Sequence, residues 1–321
     1  RQVWTITVWI EKQRLDEIVM KKIGLVTITY NSAHVIEPFM QCVLNQTHTN
    51  FILYIIDNIS SDNTLELVKK YSDKRIVIIA NAKNEGVAKG NNQGIVQAMQ
   101  VGCDELLIIN NDVEFEYTLL EKLSRQLVEL NCSLVAPKMM YYPETNLIWW
   151  AGTKFKESEG CMTHHIGIQQ EDKGQFEYIE KMDYAPTCCV LMKKEVVEDT
   201  GLMDEKYFAY YDDTDFFYRI YKQGKHQLYY YPFIQFYHKV GGLSNMKKGS
   251  AKKFKFNDFY IRLFTRNHVY YLKKHQNFYG WFNILYFFFR MNLRFLFSGK
   301  YNRNFNTFFM LQKAYFEGLG M

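Results

Sequence analysis

The segment Asn110-Asn111-Asp112-Val113-Glu114 follows the apolar run Leu106-Leu107-Ile108-Ile109. A run of that kind reads as a buried strand of a parallel sheet, and in open α/β sheets ligands collect just beyond the carboxyl ends of such strands. Asp112 therefore stands where a divalent cation and a phosphate can meet. Mg²⁺ and Mn²⁺ take oxygen ligands, and one or two carboxylates completed by substrate phosphates and water are enough for them. His238, at the end of an aromatic strand and ahead of Lys239-Val240-Gly241-Gly242, offers an imidazole, which suits Mn²⁺ better than Mg²⁺. A histidine in that place also serves as an ordinary structural residue.

Three further segments carry polar chemistry. Asp57 follows an apolar strand directly, so its carboxylate can accept hydrogen bonds from a nucleobase or ribose, or simply cap a loop. In Tyr210-Tyr211-Asp212-Asp213-Thr214-Asp215-Phe216, Asp212 and Asp215 share a helix face while Asp213 is turned by about 100°. At least one of the three is expected to cap the helix, and another to take a proton from an acceptor. Gly86, Gly90 and Gly94 recur every fourth residue, which on a helix makes a smooth ridge open to close approach by a sheet or a ligand. Neither G-x-G-x-x-G nor G-x-x-x-x-G-K-[ST] occurs, so nicotinamide and kinase chemistry lose their main support.

The elements that must hold these residues alternate. Ile23 to Thr29 is a β-branched run, followed by a helical stretch through Leu44, a strand over Phe51 to Ile56, and a helix to about Tyr71 for which Asn63 and Glu66 have capping-box spacing. A strand over Ile76 to Ala80 and a helix through Met99 precede the strand that delivers Asp112. That rhythm predicts a parallel sheet. The second half is expected to hold short strands over Ile148 to Phe155, Tyr178 to Met182, Cys188 to Met192, Gln227 to Tyr231 and Gln235 to His238. Its helices should end at Gly201 and Gly224.

Composition sets the class. With 321 residues, 48% hydrophobic and 23% charged, the chain is long enough to bury a sizeable core. From Lys247 onward fourteen Lys and Arg stand against the acids Asp258 and Glu317, a balance of +12, which leaves −7 for the rest of a chain whose net charge is +5. The six cysteines are scattered without C-x-x-C spacing, so neither a zinc knuckle nor a disulfide framework is expected and a reducing cytoplasm is the default. Residues 1–19 lack the pattern of a signal peptide, and Met20-Lys21-Lys22 reads as a start, so the preceding segment is set aside as an extension. Trp281 to Phe297 carries Arg290 and Arg294 and falls short of the roughly 20 clean apolar residues of a spanning helix. It fits a helix lying on an anionic membrane surface, or one packed on the catalytic body.

Taken in order, these pieces resemble family 2 glycosyltransferases of the GT-A fold, and within them the bacterial rhamnosyltransferase and galactofuranosyltransferase branch. Val26-Thr27-Ile28-Thr29-Tyr30-Asn31 is similar to the first strand and nucleotide loop, and Asp57-Asn58 with Ser60, Ser61, Asp62 and Thr64 to the D-N-x-S-x-D-x-T signature whose first Asp contacts the base. Asn84, Gly86, Asn91 and Gly94 resemble the segment lining the nucleotide pocket, and Asn110-Asn111-Asp112 takes the place of the D-x-D metal motif, with Asn110 and Asn111 where carboxylates can stand. Cys189 to Met192 with Gly201 to Glu205 is similar to the acceptor-side segment, Asp212-Asp213-x-Asp215 to the catalytic acidic motif, and His238 to the late metal-binding histidine.

The resemblance implies an α/β GT-A fold with a mostly parallel central sheet: a nucleotide-sugar half over 20–115, an acceptor half over 116–245, and a basic, aromatic helical tail over 246–321. It implies inverting transfer of rhamnose or another hexose from a dTDP- or UDP-sugar to a saccharide or lipid-linked acceptor, with Mg²⁺ or Mn²⁺ on Asp112 and His238. Thr29, Asn31, Asp57, Asn84, Gly86, Asn91, Asn110 and Asn111 would line the donor site, with Asp213 as base and Asp212 in reserve. The protein would work in the cytoplasm at the inner face of the membrane, with no nucleic-acid partner. Two rival readings fit the residues less well. A nucleotidyltransferase would need a Gly-rich, basic loop after the first strand, and Thr29-Tyr30-Asn31-Ser32 has neither Gly nor Arg. A non-catalytic saccharide-binding protein at the membrane would fit the aromatic content but has no use for Asp112, Asp213 and His238 together.

Overall fold

A computed structural model describes residues 21–239, 258–275, 280–298, 301 and 304–321. The expectations for residues 1–19, for Gly241-Gly242 and for the lysines from Lys247 to Lys255 fall outside those residues. Four strands, β1 (Ile23–Thr29), β2 (Phe51–Asp57), β3 (Ile76–Ala80) and β4 (Glu105–Ile109), lie parallel in the order β3-β2-β1-β4. Helices α1 (Ile36–Leu44), α2 (Thr64–Lys69) and α3 (Gly86–Gln100) connect them. β1, β2 and β4 are buried nearly throughout, as expected of strands covered on both faces.

The glycine ridge of α3 faces the sheet. A Cβ at Gly90 would press on Ile28, and one at Gly94 would overlap Val26, both on β1. Gly86 has φ +83° and lies against the backbone carbonyl of Phe208, so both its conformation and its surroundings exclude a side chain.

The chain continues through β5 (Val113–Phe115), α4 (Leu119–Glu129), β6 (Leu134–Pro137), β7 (Met139–Tyr141), β8 (Ile148–Trp150), β9 (Glu180–Met182), β10 (Cys189–Lys193), α5 (Lys194–Thr200), α6 (Asp212–Gln223), β11 (Leu228–Tyr231) and β12 (Phe236–His238). β10 runs antiparallel between β4 and β6, and β11 and β9 extend the edge, so both halves share one eight-stranded sheet, β3-β2-β1-β4-β10-β6-β11-β9. β5, β12, β7 and β8 form a second, four-stranded sheet in that order. Three helices follow: α7 (Asp258–Lys274), α8 (Gly280–Phe297) and α9 (Phe305–Gly320).

Some local expectations are corrected. The capping box at Asn63 and Glu66 does not form. Asp62 accepts from the Thr64 amide (3.0 Å) and from the Ala33 amide (3.1 Å), so the helix start is tied to the loop after β1 instead, and α2 ends at Lys69. The strand expected over Ile148 to Phe155 stops at Trp150, because Gly152 turns the chain at φ +121°. The strand expected from Tyr178 begins at Glu180. Of the second sheet, β8 and β12 match expected strands, but β5 and β7 and their pairing do not follow from the sequence, since strands of three residues leave almost no periodicity to read.

Candidate active site

The end of β4 opens onto a cleft of about 770 Å³ whose wall includes Asn110, Asn111, Asp112, Asn84, Gly86 and Asn91 on one side and Tyr184, Asp212 and Asp213 on the other. Asn111 is buried and its Nδ2 donates to the Ile28 carbonyl (2.5 Å), bracing β4 against β1, while Asn110 is exposed to the cleft.

Backbone register brings Asp112 and His238 together. β5 starts directly after Asp112, and its Val113 pairs with His238, the last residue of antiparallel β12. The Lys239 amide donates to the Asp112 carbonyl (2.8 Å), and His238 Nε2 lies 3.4 Å from Asp112 Oδ1. Both side chains are buried, and Trp149 packs edge-on against the imidazole with ring centroids 4.4 Å apart. Burial opposes a charged ring, but the Cys188 sulfur and the Asp112 carboxylate beside it outweigh that and lift His238 to about 10. Its Nδ1 is buried without a hydrogen-bond partner.

Around the ends of β1 and β2 the polar residues are tightly braced. The Asp57 carboxylate, almost fully buried, accepts from the Thr29 hydroxyl (2.7 Å), the Ser60 hydroxyl (2.5 Å) and the Ser60 amide (2.9 Å). Asn31 takes φ +52° and its Oδ1 accepts from the Ser61 amide (2.8 Å). Thr29, Asn31 and Asp57 thus shape the loop behind the cleft wall, whereas Asn58 is in the wall itself and its Nδ2 donates to the Gly86 carbonyl (3.1 Å). Asn84 Oδ1 accepts from the Gly86 amide (3.0 Å), and buried Asn91 lies against the Met203 sulfur (3.8 Å).

The acidic helix starts from an irregular loop. Phe208, Tyr210 and Tyr211 have φ of +61°, +66° and +70°, a backbone region that costs non-glycine residues on the order of 1–3 kcal/mol each. Asp212 and Asp213 follow at the start of α6. Burial lifts Asp212 well above the ordinary carboxylate range, and the neighbouring Asp213 charge adds to this. Asp213 is raised by burial as well, but it accepts from the Tyr184 hydroxyl (2.7 Å) and the Thr214 amide (2.6 Å), which favour its charged form. Asp213 is therefore the member of the pair equipped to carry charge. Asp215 points away from the cleft: it binds Arg219 (2.9 Å), Lys274 (2.8 Å) and His275 (2.6 Å), and the Tyr207 hydroxyl donates to it (3.1 Å).

The Glycosyl transferase family 2 model matches residues 25–201, more than half of the chain. The chain belongs to glycosyltransferase family 2. Among family-related proteins it is 23% identical over 210 residues to a low-salt glycan biosynthesis hexosyltransferase of Haloferax volcanii, a match that covers 64% of each chain. It is 24% identical over 226 residues to the dTDP-rhamnosyl transferase RfbF of Shigella flexneri, covering 68% of this chain and 69% of that one. The fold is GT-A. The solved structure of S. aureus TarS with UDP superposes with a TM-score of 0.53 at 16% identity, over 86% of this chain and 72% of that one. That of GalNAc-T7 with UDP, GalNAc and Mn²⁺ gives 0.58 at 12% identity, over 79% and 48%.

The residues of this family 2 member fit a divalent cation in one specific way. Among the described residues no group of three His, Cys, Asp or Glu side chains converges, so Asp112 and His238, the latter only once its ring has given up the proton, would supply two ligands and a diphosphate and water the rest. Sequence reasoning missed Tyr184 and Asn92. Asn92 on α3 exchanges hydrogen bonds with the Met203 backbone (2.9 and 3.0 Å), fixing the Gly201–Glu205 segment to α3. Tyr184 lies in no recognisable motif, and Asn92 sits within the Asn84–Gly94 segment without being one of its matching positions, so only their position in space marks them.

Proposed function

We propose that this family 2 glycosyltransferase moves a hexose, with rhamnose the favoured case, from a dTDP- or UDP-sugar to a hydroxyl of a saccharide or lipid-linked acceptor, with inversion at the anomeric carbon. The observation that carries the proposal is that Asp112 and Asp213 line one cleft, the first with an imidazole beside it and the second held by a phenol. Relatives support the donor class: one is named a dTDP-rhamnosyl transferase, another a UDP-Glc:α-D-GlcNAc-diphosphoundecaprenol β-1,3-glucosyltransferase.

In this reading the loop braced by Thr29, Asn31 and Asp57 receives the base and ribose, and Asn84, Gly86 and Asn91 line the nucleotide end. Asn110 and Asn111 take the place of two carboxylates beside the diphosphate. Asp112 and His238 would hold Mg²⁺ or Mn²⁺. When bound, such a cation neutralises the leaving diphosphate, a contribution of several kcal/mol. Asp213 accepts the proton of the attacking hydroxyl as the bond to the anomeric carbon forms on the face opposite the diphosphate; a positioned base is worth about 10²–10⁴-fold. Asp212, whose carboxyl burial pushes up, faces the same cleft and can hydrogen-bond an acceptor hydroxyl.

The test is a donor panel. Nucleoside diphosphate release is measured from UDP-glucose and dTDP-rhamnose with Mg²⁺, with Mn²⁺ and after chelation. Release from neither sugar nucleotide under any condition would exclude the donor class, and release undiminished by chelation would exclude the cation.

A further inference from the structure

The loop that leads into Asp212 and Asp213 is held mainly by side chains of α7, Asn267 above all. Asn267, in the middle of α7, is fully buried. Its Nδ2 donates to three carbonyls of this loop, those of Tyr207, Ala209 and Tyr210, each at 2.8 Å. Two hydrogens thus serve three acceptors. The amide is oriented from behind, because Arg266 Nε donates to Asn267 Oδ1 (2.9 Å) while Arg266 Nη2 donates to the Lys206 and Tyr207 carbonyls, both at 3.1 Å. The remaining carbonyl, Phe208, accepts from the Val87 amide at the start of α3. The next residue of α7, His268, meets the Tyr211 hydroxyl through Nδ1.

Four consecutive carbonyls, Tyr207 to Tyr210, are therefore all paired, three of them by Asn267, in a segment where three non-glycine residues adopt positive φ. Backbone of this kind persists only where its surroundings over-determine it. Without the Asn267 donors the Ala209 and Tyr210 carbonyls lose this partner, while Tyr207 keeps Arg266 and the Ala209 amide, and the chain has reason to relax to ordinary φ, which would rotate the start of α6 away from the cleft.

We infer that Asn267 is a positioning residue for the transfer step: by clamping the left-handed Phe208–Tyr211 loop it aims Asp212 and Asp213 into the cleft, so a helix of the basic tail completes the active site. The inference rests on the reading of Asp213 as the base, and its test separates the two.

Asn267→Asp keeps the shape of the side chain and removes its N–H donors. The expected result is a kcat for nucleoside diphosphate release lowered by about 10²-fold, the size of effect a 1 Å misplacement can produce. The affinity for UDP and dTDP, measured by titration of the free nucleotides, should stay within about threefold, because the cost falls on geometry and not on ground-state binding. A folded Asn267→Asp enzyme with near-normal kcat overturns the clamp, and so does a parallel loss of kcat and nucleotide affinity, which is what general destabilisation would produce. If Asn267→Asp does not fold, Asn267→Ser, which retains one donor, is judged by the same two readouts. Asp213→Asn is assayed alongside. An active Asp213→Asn enzyme removes the base assignment while a slow Asn267→Asp keeps the clamp; an inactive Asp213→Asn with a fully active Asn267→Asp removes the clamp alone.

Discussion

At Asp213 two influences oppose each other. Burial raises the carboxyl, and the Tyr184 hydroxyl together with the Thr214 amide holds it down. Tyr184→Phe deletes one donor without changing the packing shape, so the carboxyl should ionise at higher pH. The acid limb of a kcat/KM profile is expected to move to higher pH in this variant, while Asp213→Asn should lose about 10²–10⁴-fold in kcat with donor binding retained. An unmoved acid limb would show that the phenol does not tune the base. A second buried carboxyl sits far from the chemistry. Glu105, at the start of β4, is raised to about 7 by burial, and one of its oxygens has no partner. Its folded pKa lies above its unfolded one, so folding retains a proton between about 4.5 and 7 and stability falls as pH rises through that window. Glu105→Gln cannot ionise. Relative to the parent it should gain roughly 3 kcal/mol between pH 4 and pH 8, read from denaturant unfolding at both pH values.

Elements succeed here by sharing residues across seams. The α6 helix is joined to α7 through Asp215, whose carboxylate burial alone would raise but which His275, Lys274 and Arg219 together hold far below the usual range. Breaking a buried ion pair by removing one partner costs about 3–5 kcal/mol, so Asp215→Asn should be destabilised by that much near neutral pH. For a depressed carboxyl the stabilisation is complete above the unfolded pKa of about 4 and is lost as pH falls through the folded value. The gap between parent and variant should therefore narrow below about pH 4, measured by urea unfolding; a gap independent of pH would mean that the charge is not what joins the helices. A different seam, α3 on β1, depends on the missing side chains at Gly90 and Gly94.

The whole molecule has an uneven surface. α8 exposes Trp281, Phe282, Leu285, Tyr286, Phe289 and Leu293 along one side, with Arg290 and Arg294 exposed beside them, while Ile284, Met291 and Phe295 face inward. Among the described residues no helix is long and apolar enough to cross a membrane. An exposed apolar side flanked by cations is the pattern of a helix that lies in the headgroup layer of anionic lipid. We therefore expect flotation with vesicles containing phosphatidylglycerol and release by Leu285→Glu with Phe289→Glu, at unchanged turnover of a soluble donor. Equal flotation of parent and variant would remove α8 as the contact.

Much was legible in the chain itself. β1 and β3 were read at their observed bounds and the end of α6 likewise, because strong apolar runs and the flanking Gly224 specify them locally. The D-N-x-S and N-x-G segments could be placed at strand ends for the same reason, and the ordered set of motifs gave the family. What the sequence could not give was proximity. Asp112 and His238 are 126 positions apart and meet because Val113 and His238 share a register between β5 and β12, a pairing of three-residue strands that no local pattern specifies. The bracing of Asp213 by Tyr184 and of the Phe208–Tyr211 loop by Asn267 arises from side chains 29 and more positions away. Local propensity and periodicity are written residue by residue; a site built from hydrogen bonds across folded surfaces exists only once those surfaces have closed on one another.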